Sequence, residues 1–169
     1  LFNEHIRMPG IAVITNLYAD HLNFHGTLKA YAAAKANIFR HQSREQCLVL
    51  NADNPWTKYF LNSPAGKKPC SHVWLFSKKP RLSKQANGVF YKNRAIWYQF
   101  GGHIRRVLDV GDFVARRGEH NLENLLAASL TVYLAGCSGA QIRRRLETLP
   151  EIPFRQEVIF KNRRLTIVN

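Results

Sequence analysis

One stretch near the start of the chain constrains the fold more than any other. Residues 11–15 are apolar and largely β-branched, which is typical of a strand buried in a parallel sheet. A polar segment follows, and then an alanine-rich stretch over 27–39 predicts a helix with Thr27 as its N-cap. Strand, loop and helix in this order form the unit from which open α/β sheets are built. We therefore expect the loop to lie at the carboxyl end of the strand, where such sheets place their ligand sites.

The loop and the helix carry side chains that suit a functional site. Asp20, His21 and His25 lie on the loop, and Lys35 follows Tyr31 by four residues, which places it on or beside the apolar face of the helix. A single loop histidine usually has no catalytic role, and a lysine can extend its amine along an apolar face to water. The residues alone therefore favour non-catalytic roles for both His21 and Lys35.

The following residues predict the rest of a sheet. Two further apolar strands are expected at 46–50 and 72–76, with Asp53 or Asn54 capping a short helix between them. Three short strands separated by turns, between residues 88 and 108, predict an antiparallel meander. The fold class is therefore α/β: a mostly parallel, helix-covered sheet with a small antiparallel meander appended to it.

Two helices and a hairpin complete the prediction. Apolar spacing indicates a helix over 120–135 and another from residue 138 or 139 through 146. The proline-containing segment 150–153 is the best candidate for a linker, and a hairpin follows it. We therefore expect one domain at 1–149 and the start of a second at 150–169.

Composition narrows the functional classes. The chain has 169 residues, of which 46% are hydrophobic and 21% are charged, as in globular proteins. Its formal net charge is +14, but the basic residues are scattered over many elements, so we favour a solvated surface that attracts polyphosphate ligands over a nucleic-acid interface. The aromatic residues of the meander could stack on bases. Covering the sheet is the more common role for strand aromatics, and we favour it.

Three sequence blocks resemble one family. Residues 20–27 (Asp-His-Leu-Asn-Phe-His-Gly-Thr), followed by Tyr31 and Ala34-Lys35, are similar to a signature of the Mur ligases, the ATP-dependent amino-acid-adding enzymes of peptidoglycan synthesis. Residues 118–128 resemble the start of a helix in that family, and residues 153–157 resemble the opening of its C-terminal domain. Any one block alone would be a weak signal. Together, in this order and spacing, they identify the chain as a member of the family.

The resemblance implies site residues and cofactors. It implies that Lys35 carries CO₂ as a carbamate, and that His21 and this carbamate bind Mg²⁺ and act in catalysis. It also implies that Asn121 and Asn124 contact the adenine of ATP, and that Arg155 approaches the nucleotide from the next domain. Without the family, the two asparagines could simply cap a helix and the arginine could be a surface cation.

The resemblance also implies a reaction. Residues 36–39 and 118–124 are most similar to the branch that adds D-glutamate to UDP-N-acetylmuramoyl-L-alanine through an acyl-phosphate, whereas His25-Gly26-Thr27 is shared with the branch that adds diaminopimelate or lysine. We expect a cytoplasmic, monomeric enzyme that binds neither nucleic acid nor membrane. The alternatives are another Mur branch or a folylpolyglutamate-synthase-like ligase, a basic nucleic-acid-binding α/β module, and a degenerate member that retains only binding.

Some features depart from the family pattern. Asn23 stands where the family usually has Asp, and Phe154 stands where it usually has His. The glycine-rich phosphate loop ending in Gly-Lys-Ser/Thr does not occur in these residues. We therefore expect an internal piece of a longer ligase, inactive by itself.

Overall fold

The computed structural model describes residues 9–19, 26–62, 69, 71–149 and 158–168. Six strands form one sheet: β1 (Ile11–Ile14), β2 (Cys47–Asn51), β3 (His72–Ser77), β4 (Gly88–Lys92), β5 (Ala95–Phe100) and β6 (His103–Asp109). The α-helices are α1 (Leu28–Ala36), α2 (Thr57–Asn62), α3 (Gly111–Arg117), α4 (Leu122–Leu134) and α5 (Gly139–Glu147). A 3₁₀ turn, Glu119–Asn121, leads into α4. Within the described ranges, no helix is long and apolar enough to cross a membrane.

The sheet has the predicted mixed topology. Its strands are ordered β1-β2-β3-β4-β5-β6, with β1 to β4 parallel and β5 and β6 antiparallel to their neighbours. The parallel register pairs Val13 with Val49 and Val49 with Trp74. Because β4 pairs with β3 in parallel, the meander continues the main sheet. The prediction of a mostly parallel α/β sheet with an antiparallel meander is confirmed.

Gly88 permits the junction between β3 and the meander. It pairs with Leu75 at a φ of +154°, and a Cβ built on it would lie 1.7 Å from the Leu75 carbonyl oxygen. Leu75 N–H also donates to Asn87 O at 2.8 Å. Only a residue without a side chain allows the two strands to approach this closely.

Both faces of the sheet are covered, so the protein has three layers. In β2, Leu48 and Leu50 face α1 and α2, whereas Val49 faces α4. On the α4 side, Phe76, Leu126 and Leu130 are fully buried. On the other side, the core is completed by Ala12, Ile14, Leu17, Ala32, Ala36, Phe39 and Phe60. Burial on both faces explains why the first strands are continuous apolar runs in the sequence.

The helix ends follow local chemistry. Thr27 is the N-cap of α1, as predicted, and its Oγ1 accepts a hydrogen bond from Ala30 N–H at 3.1 Å. Ser138 and Gln141 form a capping box at the start of α5. Helix α3 was not predicted, although its charges signal it: Asp112 lies in the first turn, and Arg116 and Arg117 lie in the last.

The aromatic residues of the meander pack on the sheet. Phe90 is 2% exposed, and the Trp97 ring stacks on it with the centroids 6.4 Å apart. Tyr98 contacts Trp74 and Tyr133 on the other face of β5. These contacts agree with the interpretation of the aromatics as cover for the sheet.

The C-terminal residues form a separate antiparallel pair, β7 (Val158–Lys161) and β8 (Thr166–Val168). The predicted hairpin is therefore present. The domain boundary at 149/150 stays a prediction, since 150–157 lie outside the described residues.

Candidate functional site at the carboxyl edge of the sheet

A connected set of polar side chains occupies the carboxyl ends of β1, β2 and β3. We call it the polar circuit, and it consists of Asn16, Asn51, Asp53, Ser77, Lys78 and Glu123. Asn51 Nδ2 donates to Asn16 Oδ1 at 2.9 Å, and Asn16 Nδ2 donates to Glu123 Oε2, also at 2.9 Å. The circuit therefore links two strand ends to the first turn of α4.

Asp53 ties the end of β2 to the end of β3. Its carboxylate accepts the Ser77 hydroxyl at 3.0 Å and the Lys78 N–H at 2.7 Å, and Lys79 Nζ lies 3.6 Å away. Of the two residues expected to cap the helix, only Asn54 acts there, with its Oδ1 accepting the Trp56 N–H at 3.0 Å in the turn before α2. The prediction is that one of the two acts there, and Asn54 is that residue, whereas the Asp53 carboxylate bonds to the end of β3.

Lys78 and Glu123 close the circuit. Lys78 Nζ lies 2.8 Å from Glu123 Oε1, and the glutamate side chain is only 15% exposed. The hydrogen bond to Glu123 raises the pKa of Lys78 above its ordinary value, with burial opposing it in part. The largely buried carboxylate therefore has a partner for each of its oxygens, as charges removed from water require.

Lys35 lies where the helical spacing places it. It is in the last turn of α1, half-buried, with its Nζ 4.8 Å from the centroid of the Tyr31 ring, a cation–π distance. Ala32 and Ala36 on the same helix are fully buried, so Lys35 lies beside the core-facing side, as predicted. Its neighbour in the proposed metal site, His21, lies outside the described residues, so their proximity stays a prediction.

The metal site implied by the family resemblance stays a prediction. Among the described residues, no three His, Cys, Asp or Glu side chains are grouped as metal ligands would be. Asp20, His25 and Arg155, like His21, are outside the described ranges. Within these ranges, Lys35 is the candidate group, and it becomes an oxygen ligand only if its amine is converted to a carbamate.

Asn121 and Asn124 share one groove. It has a volume of about 870 Å³ and lies between α3, α4 and α5. Its walls are mainly apolar, with contributions from Phe113, Leu125, Ala128, Val132, Ile142, Leu146 and Leu149. Ser129 is 7% exposed in this wall, and its hydroxyl has no hydrogen-bond partner in the described part of the chain. An apolar groove with a few polar groups is the usual form of a small-molecule site.

The two asparagines differ in their surroundings at the start of α4. Asn121 occupies the N-cap position of α4 but makes no side-chain capping bond there; its Nδ2 donates to Arg117 O at 2.7 Å. Asn124 lies in the first turn of α4 with its side chain exposed. The capping alternative is therefore wrong for Asn121, and the amide of Asn124 is accessible to a ligand.

The chain is similar to known proteins over most of its length. Residues 4–132 match the Mur ligase middle domain. The chain belongs to the Mur ligase family. Among curated Mur ligases, it is 38% identical over 151 residues to the UDP-N-acetylmuramoylalanine–D-glutamate ligase of Geobacillus kaustophilus (strain HTA426), and 35% identical over 153 residues to that of Roseiflexus sp. (strain RS-1). Each comparison covers 89% of this chain.

Solved Mur ligases have the same fold. A crystal structure of MurF from Acinetobacter baumannii matches 92% of this chain with a TM-score of 0.62 at 20% identity. A UDP-N-acetylmuramoyl-L-alanyl-D-glutamate–2,6-diaminopimelate ligase matches 90% with a TM-score of 0.61 at 26% identity. These matches cover 32% and 30% of those chains, and this chain likewise spans about a third of its curated Mur relatives, 31% of the Geobacillus protein.

Sequence reasoning missed most of the polar circuit. A signal was available, since a polar residue follows each buried strand: Asn16 after β1, Asn51 at the end of β2, and Ser77-Lys78 at the end of β3. Parallel strands bring such residues to one edge of a sheet. Glu123 gave no comparable signal, because its contact with Asn16 joins positions 107 residues apart.

Proposed function

We propose that the protein to which this chain belongs is an ATP-dependent ligase that joins D-glutamate to UDP-N-acetylmuramoyl-L-alanine. The observation that carries the proposal is the 38% identity, over 89% of the chain, to a protein named as the D-glutamate ligase. Because this chain spans only 31% of that relative, the activity belongs to the whole protein. The chain supplies part of its central domain.

The groove of Asn121 and Asn124 is the proposed site for adenine. A flat base fits a volume of about 870 Å³ with apolar walls. The exposed Asn124 amide offers two donors and an acceptor, which suit the edge of adenine. The Ser129 hydroxyl in the groove wall has no hydrogen-bond partner among the described residues, so it is a further polar group for a ligand or a water to satisfy. We propose that Arg155 meets the nucleotide from the following domain.

Lys35 is proposed to act as a carbamate. Its uncharged amine would attack CO₂, forming an N–C bond as the nitrogen loses a proton. The product is an anion that presents two oxygens, and Mg²⁺ prefers oxygen ligands. Tyr31, beneath the Lys35 side chain at 4.8 Å, restricts the directions in which this group can point. Together with His21, the carbamate would hold one magnesium ion.

The reaction then follows from the groups required. The substrate carboxylate attacks the γ-phosphorus of ATP, ADP leaves, and an acyl-phosphate forms. The D-glutamate amine attacks the acyl carbon, phosphate leaves, and the amide loses a proton. Bound Mg²⁺ supplies neutralisation of the charge that develops on the transferred phosphoryl group. The part of this chain is to fix the base in its groove and to supply the metal ligands Lys35 and His21.

The test is phosphate release from ATP by the protein that contains this chain. UDP-N-acetylmuramoyl-L-alanine and Mg²⁺ are supplied, and each candidate amino acid is added in turn. We expect release that depends on D-glutamate, is lost in Lys35→Ala and is partly restored by short carboxylates. Lys29→Ala is the matched control, because Lys29 is an exposed lysine on the same helix.

Each other outcome has a defined meaning. Release that depends on a different amino acid would assign the protein to another branch, such as the one that adds diaminopimelate, to which one of the solved structures belongs. Nucleotide binding without release under any condition would indicate a family member that retains only binding. We propose a cytoplasmic, monomeric enzyme, which gel filtration and cell fractionation would check.

A further inference from the structure

Glu123 occupies an unusual position for a carboxylate. It is the second residue of α4, between Asn121 and Asn124 of the proposed adenine groove, yet its side chain turns to the sheet edge. Only 15% of this side chain is exposed. A carboxylate this buried is costly unless it is paired, so its two partners must be held in defined positions.

The two oxygens of Glu123 contact two different strand ends. Oε2 accepts Asn16 Nδ2 at 2.9 Å, and Oε1 pairs with Lys78 Nζ at 2.8 Å. Asn16 follows β1 and Lys78 follows β3, so one side chain joins both strand ends to the helix. The groove side chains and the strand ends are therefore fixed relative to each other through Glu123.

The side-chain amide of Asn16 is held in one orientation by Asn51. Its Oδ1 accepts Asn51 Nδ2 at 2.9 Å, which leaves its Nδ2 directed at Glu123. Asn51 in turn accepts the Asp53 N–H at 2.9 Å. Asn16 lies four residues before Asp20, the first residue of the segment that carries His21. A shift of Asn16 would therefore be passed to Leu17 and Tyr18, the residues that follow it.

We infer that Glu123 is a positioning residue of the proposed ligase. Through Asn16 and Lys78, it holds the start of α4, where the proposed nucleotide groove lies, against the carboxyl ends of β1 and β3. The expected effect on kinetics rests on the proposed function. The geometry rests on the contacts of the polar circuit alone. Glu123 is proposed to contact neither the substrate nor the reacting atoms. It acts by holding two parts of the site in register.

The kinetic test compares variants that separate the two contacts of Glu123. Glu123→Ala removes both contacts, Glu123→Gln keeps an oxygen that can accept from Asn16 but loses the charge, and Lys78→Met removes only the ion pair. A misplacement of about 1 Å can cost on the order of a hundredfold in rate. We therefore expect Glu123→Ala to lower kcat/KM for ATP by about tenfold to a hundredfold, with a lower kcat and a higher KM both contributing. Glu123→Gln and Lys78→Met should stay within about threefold of wild type, on the same argument.

A second readout does not depend on turnover. The chemical shift of the Asn16 side-chain amide is measured by NMR, and hydrogen exchange is measured at the backbone amides of Leu17 and Tyr18. The affinity for Mg²⁺–ADP is measured by calorimetry. Glu123→Ala is expected to shift the Asn16 amide, to speed exchange at both residues and to weaken nucleotide binding. Glu147→Gln, an exposed glutamate on α5, is the matched control and should change none of these.

The outcomes separate this inference from the proposed function. If wild type releases no phosphate with any amino acid, the ligase proposal fails, and the positioning role is judged on exchange and nucleotide affinity alone. A purely structural role predicts that Glu123→Ala lowers the melting temperature but leaves kcat, KM and nucleotide affinity within about twofold of wild type. That result would overturn the inference. If Glu123→Ala does not fold, Asn16→Ala takes its place, because it removes the partner of Glu123 Oε2. A loss of about tenfold or more in kcat/KM in Asn16→Ala, with Lys78→Met within about threefold of wild type, would support the inference, and a loss within about twofold in Asn16→Ala would overturn it.

Discussion

Replacing Gly88 with alanine tests how tightly the meander is joined to the main sheet. The added Cβ would lie 1.7 Å from the Leu75 carbonyl oxygen, whereas real Cβ atoms essentially never come closer than 3.0 Å, so the strands must separate by about 1.3 Å. Neighbouring strands lie only about 4.8 Å apart, so this is more than a quarter of their spacing. The hydrogen bond from Leu75 N–H to Asn87 O, now 2.8 Å, would be lengthened beyond its useful range.

The expected cost follows from these distances. Overpacking against rigid backbone costs about 1–3 kcal/mol. A lost buried hydrogen bond costs about 1 kcal/mol more. We therefore expect Gly88→Ala to lower the free energy of unfolding by about 3 kcal/mol, measured by urea denaturation with tryptophan fluorescence as the signal.

Two other glycines provide matched controls, since each receives the same methyl group. Gly101 has a φ of +54° with nothing within 4 Å of the added Cβ, so alanine there costs only backbone strain, about 1 kcal/mol. Gly10 has open space and no positive φ, so alanine there is expected to be neutral or slightly stabilising. A loss below about 1 kcal/mol at Gly88 would refute the reasoning, as would equal losses at Gly88 and Gly101.

Three further predictions concern the core and two titrating groups. Leu126→Ala should lower the free energy of unfolding by about 2–5 kcal/mol in urea, because the side chain is fully buried beneath the sheet. Glu123 raises the pKa of Lys78, so the unfolded chain releases the Lys78 proton at a lower pH than the folded protein does. The difference in the free energy of unfolding between wild type and Lys78→Met should therefore be constant near neutral pH and shrink above pH 10.5. A difference that grows above this pH would contradict the assignment. Burial and Tyr133 raise the pKa of Tyr98 to about 12. One step in phenolate absorbance should therefore appear near pH 12 and be absent in Tyr98→Phe. The protein should also lose stability between about pH 10 and 12, because the unfolded chain releases this proton first.

The layout of the fold could be predicted because it rests on local patterns. Buried strands appear in the sequence as continuous apolar runs such as Leu48–Leu50, and Thr27 is an N-cap that depends only on Ala30, three residues away. Helix α3 was missed because it is seven residues long and half-exposed, which leaves little apolar periodicity to detect.

The site could be predicted only in part, for a physical reason. Lys35 and the two asparagines were found through family resemblance, and the structure places Asn121 and Asn124 on one groove. The roles of His21, Lys35 and Arg155 stay predictions. The link between Asn16 and Glu123 could not be predicted, because a contact across 107 residues depends on how the whole sheet brings α4 over β1.

The position of α4 in the chain has a consequence for biosynthesis. This helix covers β1, β2, β3 and β4, yet its residues follow all six strands in the sequence. As the chain emerges from the ribosome, each strand can pair with the one made just before it, and the sheet can grow in sequence order. Its face bearing Val49 and Phe76 nevertheless remains uncovered until residue 134 has been made. Nascent chains halted before that point carry an exposed apolar surface, which makes them substrates for chaperones and prone to aggregation.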